Sequence, residues 1–178
     1  MTAGAQAVEV AAVIDRRYKR SMAERLRRLE RVYERHPIYF LTACTRDRRK
    51  MLASGEVHRV FVVFARQAAD RGVWVGKYVL MPDHMHWFVA VDDERIRLST
   101  WVKSLKNALS KALRSAGVLG PHWQKGFFDH VLRGAESYSG KWDYVRENPV
   151  RAGLVDDAGA WPFAGQINDL EYRRDLVL

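Results

Sequence analysis

Two short apolar runs, residues 74–81 (WVGKYVLM) and 85–91 (MHWFVAV), are joined through Pro82 and Asp83, and this junction constrains the fold more than any other feature of the chain. Proline presets a turn dihedral and aspartate bonds its own backbone, so the two runs are expected to fold back on each other as a hairpin. The flanking segments extend the pattern. Residues 38–45 (IYFLTACT) form a nearly continuous apolar run of the β-branched and aromatic kind that marks a buried strand. Residues 56–71 place Val57, Val60, Phe61, Phe64 and Ala68 on one helical face, and residues 98–115 do the same with Val102, Leu105, Leu109 and Ala112. Residues 123–132 read as a last strand, and residues 137–148 as a helix stopped by Pro149. The order is strand, helix, strand, strand, helix, strand, helix. It predicts an α+β fold of the ferredoxin-like, split βαβ kind, with a four-stranded antiparallel sheet and two helices packed on one face. The other face is left for the last helix to cover.

A chain of 178 residues suits one domain with an appendage. Residues 15–36 are dense in Arg, with Leu26, Leu29, Val32 and Tyr33 at helical spacing, so a basic helical extension over residues 1–36 is expected ahead of Pro37. A catalytic domain over residues 37–155 follows, then a tail, 156–178, with no assignable element. Lys and Arg number 30 against 21 Asp and Glu, a formal +9, which favours a polyanionic partner such as nucleic acid without choosing DNA or RNA. Cys44 is the only cysteine, which excludes an intramolecular disulfide and a cysteine-rich zinc site and favours an intracellular protein. Lys77, Asp83 and His84 interrupt the most apolar stretches, so none reaches the ~18 to 20 residues of a membrane span. The first residues lack the basic start of a secretory signal. A cytoplasmic location is expected.

His84-Met85-His86 is the sharpest chemical feature. Residues i and i+2 of a strand point to one face, so both imidazoles project together and could hold one divalent ion. A bare HxH is a weak signal, equally met by two polar residues on a wet strand face. Here the pair stands beside Trp87 and Phe88, where an imidazole without a partner is costly. Tyr144 and Asn148 are four apart, so phenol and carboxamide share a helix face, although Pro149 pushes Asn148 off helical dihedrals. Spacing alone also fits Tyr144 as a packing residue, and Tyr138, Tyr39 and Tyr78 compete with it. Together the two features suit phosphodiester chemistry, because a tyrosine attacking phosphorus needs a cation on the non-bridging oxygen. Two imidazoles and an amide would suit Mg²⁺ or Mn²⁺, although imidazole also accepts Zn²⁺, Co²⁺ and Ni²⁺. Arg46, Arg48, Arg49, Lys103, Lys106, Lys111 and Arg114 are candidate phosphate contacts, or else a solvated face. His36, His58, His122 and His130 lack paired spacing and read as hydrogen-bonding residues.

The runs YVLMPDHMHWFVA (78–90), WQKGFFDHVLR (123–133) and YVRENPVRAGLV (144–155) resemble, in order and spacing, the signatures of REP-associated tyrosine transposases, within the single-tyrosine HUH superfamily. The resemblance implies a ferredoxin-like domain that cuts single-stranded DNA beside a hairpin through a transient bond between a tyrosine and a 5′ phosphate. It implies His84 and His86 as metal ligands, Tyr144 as nucleophile and Asn148 as third ligand. Relatives from mobile elements commonly carry Gln at that last position, so Asn148 follows the REP-associated branch. Glu147 stands where a neutral residue is expected and could add a carboxylate near the ion. The extension before Pro37 is not part of the signatures. The expected activity is a divalent-metal-dependent DNA endonuclease and strand transferase acting on single-stranded or hairpin DNA. The phosphotyrosine bond conserves the phosphodiester energy, so no nucleotide cofactor is expected, and no P-loop pattern is present. The alternatives are a non-cutting nucleic-acid-binding module of the same fold and an active transposase mobilising its own element. Both monomer and homodimer remain open from sequence.

Overall fold

The run IYFLTAC becomes β1 (Ile38–Cys44), which pairs antiparallel with β3 (His84–Val91) on one side and β4 (Phe128–Val131) on the other. β2 (Val73–Leu80) pairs with the far edge of β3, completing the expected hairpin. The computed structural model describes residues 37–132 and 135–170. The basic helix expected over residues 15–36 lies outside them, as does the end of the tail.

Alternation along the strands sorts side chains to two covered faces. Tyr39, Leu41 and Ala43 of β1, with Met85, Trp87, Val89 and Val91 of β3, meet α1 (Gly55–Gln67) and α2 (Leu98–Ser115). Ser54 caps α1, accepting from the Val57 N–H at 3.3 Å, and the helix buries Val57, Phe61 and Ala65. α2 spans the residues its apolar stripe predicts and buries Trp101, Val102, Leu105, Leu109, Ala112 and Leu113. On the opposite face, Ile38, Phe40, Phe88 and Ala90 pack with Tyr138 and Val145 of α3 (Ala135–Arg146). Those two residues lie two turns apart, so one stripe of α3 covers the face that the split βαβ pattern leaves open. No helix among the described residues is long and apolar enough to cross a membrane.

Three expectations are corrected. The sheet has five strands in the order β4-β1-β3-β2-β5, not four, because β5 (Ala164–Gln166), from the unassigned tail, pairs with β2. Residues on either side of β5 are stitched to the same strand: the Leu80 N–H donates to Phe163 O at 2.8 Å, Trp161 Nε1 to Leu80 O at 3.0 Å, and Asn168 Nδ2 to Val75 O at 2.8 Å. These bonds satisfy backbone groups that an open edge would expose. Gly76 permits the close approach, since a Cβ there would sit 2.7 Å from Leu170 Cδ1 and 3.1 Å from Tyr138 Oη.

The last strand of the expected fold is also shorter. Trp123 meets Thr45 in an isolated bridge, and regular pairing begins only at Phe128, beyond the left-handed Gly126 (φ 76°). Finally, Pro149 does not stop the last helix; α3 ends at Arg146 and Pro149 lies in the first turn of α4, a single turn over Asn148–Arg151. Proline suits that place because its missing N–H is one the helix start leaves unbonded.

Candidate functional site

β3 turns His84 and His86 toward the α3 face while Met85 and Trp87 enter the opposite core. The two imidazole centroids are 4.7 Å apart with the rings near perpendicular, at 80°. Each ring is held through Nδ1. His84 Nδ1 lies 2.7 Å from Asp83 Oδ1, and His86 Nδ1 lies 2.7 Å from Thr42 Oγ1, its cross-strand partner on β1. In the tautomer in which both Nδ1–H groups donate, both Nε2 lone pairs are free. Such outer partners orient metal-binding histidines. Phe40 stacks on His86 at 5.4 Å and 17°, fixing the ring plane.

The other Asp83 oxygen lies 3.1 Å from Arg48 Nε. Burial pushes the Asp83 carboxyl up, but the hydrogen bond and charge of His84 and the charge of Arg48 hold it below its ordinary value. Asp47 and Arg48 take left-handed dihedrals, φ 54° and 55°, a conformation unfavourable for residues with a side chain. From this turn Arg48 reaches both Asp83 and Cys44 Sγ, the latter at 3.0 Å. Cys44 is half-buried, and burial pushes its thiol up.

His86 is pushed well below its ordinary value of 6.5, first by burial and then by the positive charges of His84, Arg48, Lys141 and Arg151. Between that depressed value and 6.5 only the unfolded chain takes up the proton, so stability in metal-free buffer is expected to fall as pH drops below 6.5. The contribution of this group is at most about 1.4 kcal/mol per pH unit. Melting temperatures across that range check this: His86→Gln is expected to flatten the dependence, and an unchanged slope would assign it to other groups.

Of the four tyrosines among the described residues, Tyr39, Tyr78 and Tyr138 are 5%, 4% and 8% exposed, and Tyr144 is 58% exposed. Tyr78 is bound to His58 Nε2 at 2.8 Å, and the Tyr138 ring packs 4.5 Å from Phe88. Of these four, Tyr144 alone presents its phenol to solvent. Asn148 Oδ1 accepts from Arg151 Nη2, which also donates to the Tyr144 carbonyl at 2.6 Å, and the guanidinium lies 4.1 Å from the Tyr144 ring centroid. Lys141 of α3 sits 5.1 Å over Phe40, the ring stacked on His86. This contact, with Tyr138 and Val145 packed among Phe40 and Phe88, places α3 over the face that carries the histidines. The Glu147 carboxylate, expected near the ion, is paired with Arg146 at 3.2 Å.

The two imidazole nitrogens, with their outer partners in place, are borderline donors of the kind that suit a divalent transition ion, and the Asn148 amide oxygen is engaged by Arg151. Among the described residues no group of three or more His, Cys, Asp or Glu is arranged to hold a metal. Thr42, Asp83 and Arg151 are not among the site residues that the sequence suggests. Asp83 was legible as the acid next to HxH, and Thr42 only through register.

The basic residues divide. Arg46, Lys103, Lys111 and Arg114 are exposed at the surface. Arg49 Nη1 braces Leu119 O at 2.9 Å. Lys106 departs from the expectation of a phosphate-tracking cation: half-buried, it donates to Gln124 O and Gly126 O, both at 2.9 Å, and lies 5.3 Å over Trp123. Burial pushes its ammonium down. Trp123 joins the two basic segments, pairing with Thr45 beside the loop and donating from Nε1 to Lys106 O at 3.0 Å on α2.

Residues 35–147 match the family model described as Transposase IS200 like. A REP-associated tyrosine transposase of Escherichia coli (strain K12) is 27% identical over 136 residues, covering 75% of this chain and 79% of that protein. A solved structure of a REP-associated tyrosine transposase bound to a REP hairpin has TM-score 0.61 at 23% identity, covering 83% of this chain and 97% of the other. That likeness speaks for the fold.

Proposed function

The chain belongs to the IS200-like transposase family, and from that premise we propose that it is a divalent-metal-dependent, single-tyrosine endonuclease and strand transferase acting on single-stranded DNA beside a hairpin. The observation that most supports this is the grouping over one sheet face of a paired-imidazole site with the helix that bears the one exposed tyrosine among the described residues. The hairpin substrate is drawn from what the relative of known structure binds.

In this reading Tyr144 Oη attacks the scissile phosphorus, forming a bond to the 5′ phosphate as the bond to the 3′ oxygen breaks. The 3′ oxygen leaves as a hydroxyl, and the phenol gives up its proton. Rejoining reverses the step with an incoming 3′ hydroxyl. His84, His86 and Asn148 would hold Mg²⁺ or Mn²⁺, which when bound neutralises charge on the non-bridging oxygens. Asp83 and Thr42 keep the imidazoles aimed, and Phe40 holds the His86 plane. The test is incubation with labelled single-stranded hairpin DNA and Mn²⁺. A covalent protein–DNA adduct is expected; binding with neither adduct nor metal effect would make the protein a non-cutting module.

Exposed cations of the basic loop and of α2 would contact phosphates. Replacing Arg46, Lys103 and Lys111 with Gln is expected to weaken binding of all DNA sequences alike and to flatten the salt slope by about one unit for each phosphate no longer neutralised. Lys106→Gln is expected to lower thermal stability instead, because its ammonium braces two loop carbonyls. Gel shifts across a salt series and melting curves check the two expectations, and an unchanged slope in the triple variant would remove these residues from the interface.

A further inference from the structure

We propose that Arg151 is a positioning residue that locks the Tyr144 nucleophile and the Asn148 amide into one constellation; this rests on the reading of Tyr144 as nucleophile. The need arises from the break in the helix. α3 ends at Arg146 and Asn148 opens a separate turn, so no single helix enforces the spacing between phenol and amide. Arg151 spans the break. Its Nη2 donates to the Tyr144 carbonyl at 2.6 Å, one of the last-turn carbonyls a helix end leaves without an internal partner, and also to Asn148 Oδ1. The same guanidinium lies 4.1 Å from the centroid of the Tyr144 ring, within the range of an attractive cation–π contact. Among the described residues no other hydrogen bond, ion pair or ring contact is made by the Tyr144 side chain, which is 58% exposed. Arg151 is itself anchored, its N–H bonded to Glu147 O at 2.9 Å in the turn that begins at Asn148 and buries Pro149.

Arginine suits the task because its planar group offers several donors in a fixed fork and stacks on an aromatic face. Lysine offers a single point charge. The nucleophile must meet phosphorus in line, and a displacement near 1 Å costs on the order of 100-fold in rate.

The experiment is single-turnover adduct formation on a hairpin oligonucleotide with Mn²⁺, over a DNA concentration series. Wild type, Tyr144→Phe, Arg151→Ala and Arg151→Lys are compared, with melting temperature and hairpin affinity for each. Arg151→Ala is expected to lower the rate at saturating DNA by roughly 10- to 100-fold, with hairpin affinity unchanged. Arg151→Lys should recover only part of it. A wild-type saturating rate in either variant, or a loss confined to affinity, would overturn the proposal; the lysine variant decides if the alanine variant is unstable. Absence of adduct in the wild-type protein would instead overturn the reading of Tyr144, a distinct result.

Discussion

Tyr144→Phe is expected to eliminate both DNA cleavage and the covalent adduct, a loss on the order of 10⁴-fold or more, since the attacking atom itself is removed. Fold and hairpin binding should survive. The phenol is exposed, so its hydroxyl leaves no buried partner unsatisfied, and the contacts of Arg151 are to the ring and the main-chain carbonyl, both of which phenylalanine keeps. Tyr138→Phe is the control, because that ring is buried against Phe88 and its variant should form adduct normally. Denaturing gels and peptide mapping of the trapped adduct decide the matter. A nucleotide mapped to Tyr138, or cutting by Tyr144→Phe at the wild-type rate, would remove Tyr144 from the mechanism.

His84→Ala and His86→Ala are each expected to lower cleavage by about 10³-fold while hairpin binding persists, since the imidazoles would hold the ion that neutralises the phosphate and not the DNA as a whole. The two variants should differ in stability. His84 is tied to Asp83 at the strand start, whereas His86 is bonded to Thr42 and stacked on Phe40 inside the sheet. Truncating His86 leaves the Thr42 hydroxyl short of a partner, with an expected cost of about 1–3 kcal/mol. Cleavage and gel shift on one preparation, with melting temperature recorded, are the measurement. Equal loss of both activities in a folded protein would make the histidines part of the DNA surface.

The order of strands and helices was legible in the sequence because hydrophobic periodicity is local. α2 runs over Leu98–Ser115, as its stripe predicts, and the period of two along HMHW puts both histidines on one face without any knowledge of neighbours. β5 was not legible. Ala-Gly-Gln carries no strand signal of its own, and it becomes a strand only because the edge of β2 offers unpaired N–H and C=O groups. Nor did spacing separate Tyr144 from Tyr138, since both lie on α3 and exposure depends on which stripe the sheet covers. Net charge is legible in the sequence but the partners of each cation are not: the heads of Lys106 and Arg48 meet loop carbonyls and a carboxylate brought close by the fold. Sequence by itself thus determined the order of the elements up to α3 and the shared face of the imidazoles. Only the tertiary structure decided that Asp83 and Thr42 bond the rings, that Tyr144 is the exposed phenol among the described residues, and that Arg151 spans the helix break. Those are contacts between groups whose proximity arises from packing and register, which no local pattern encodes.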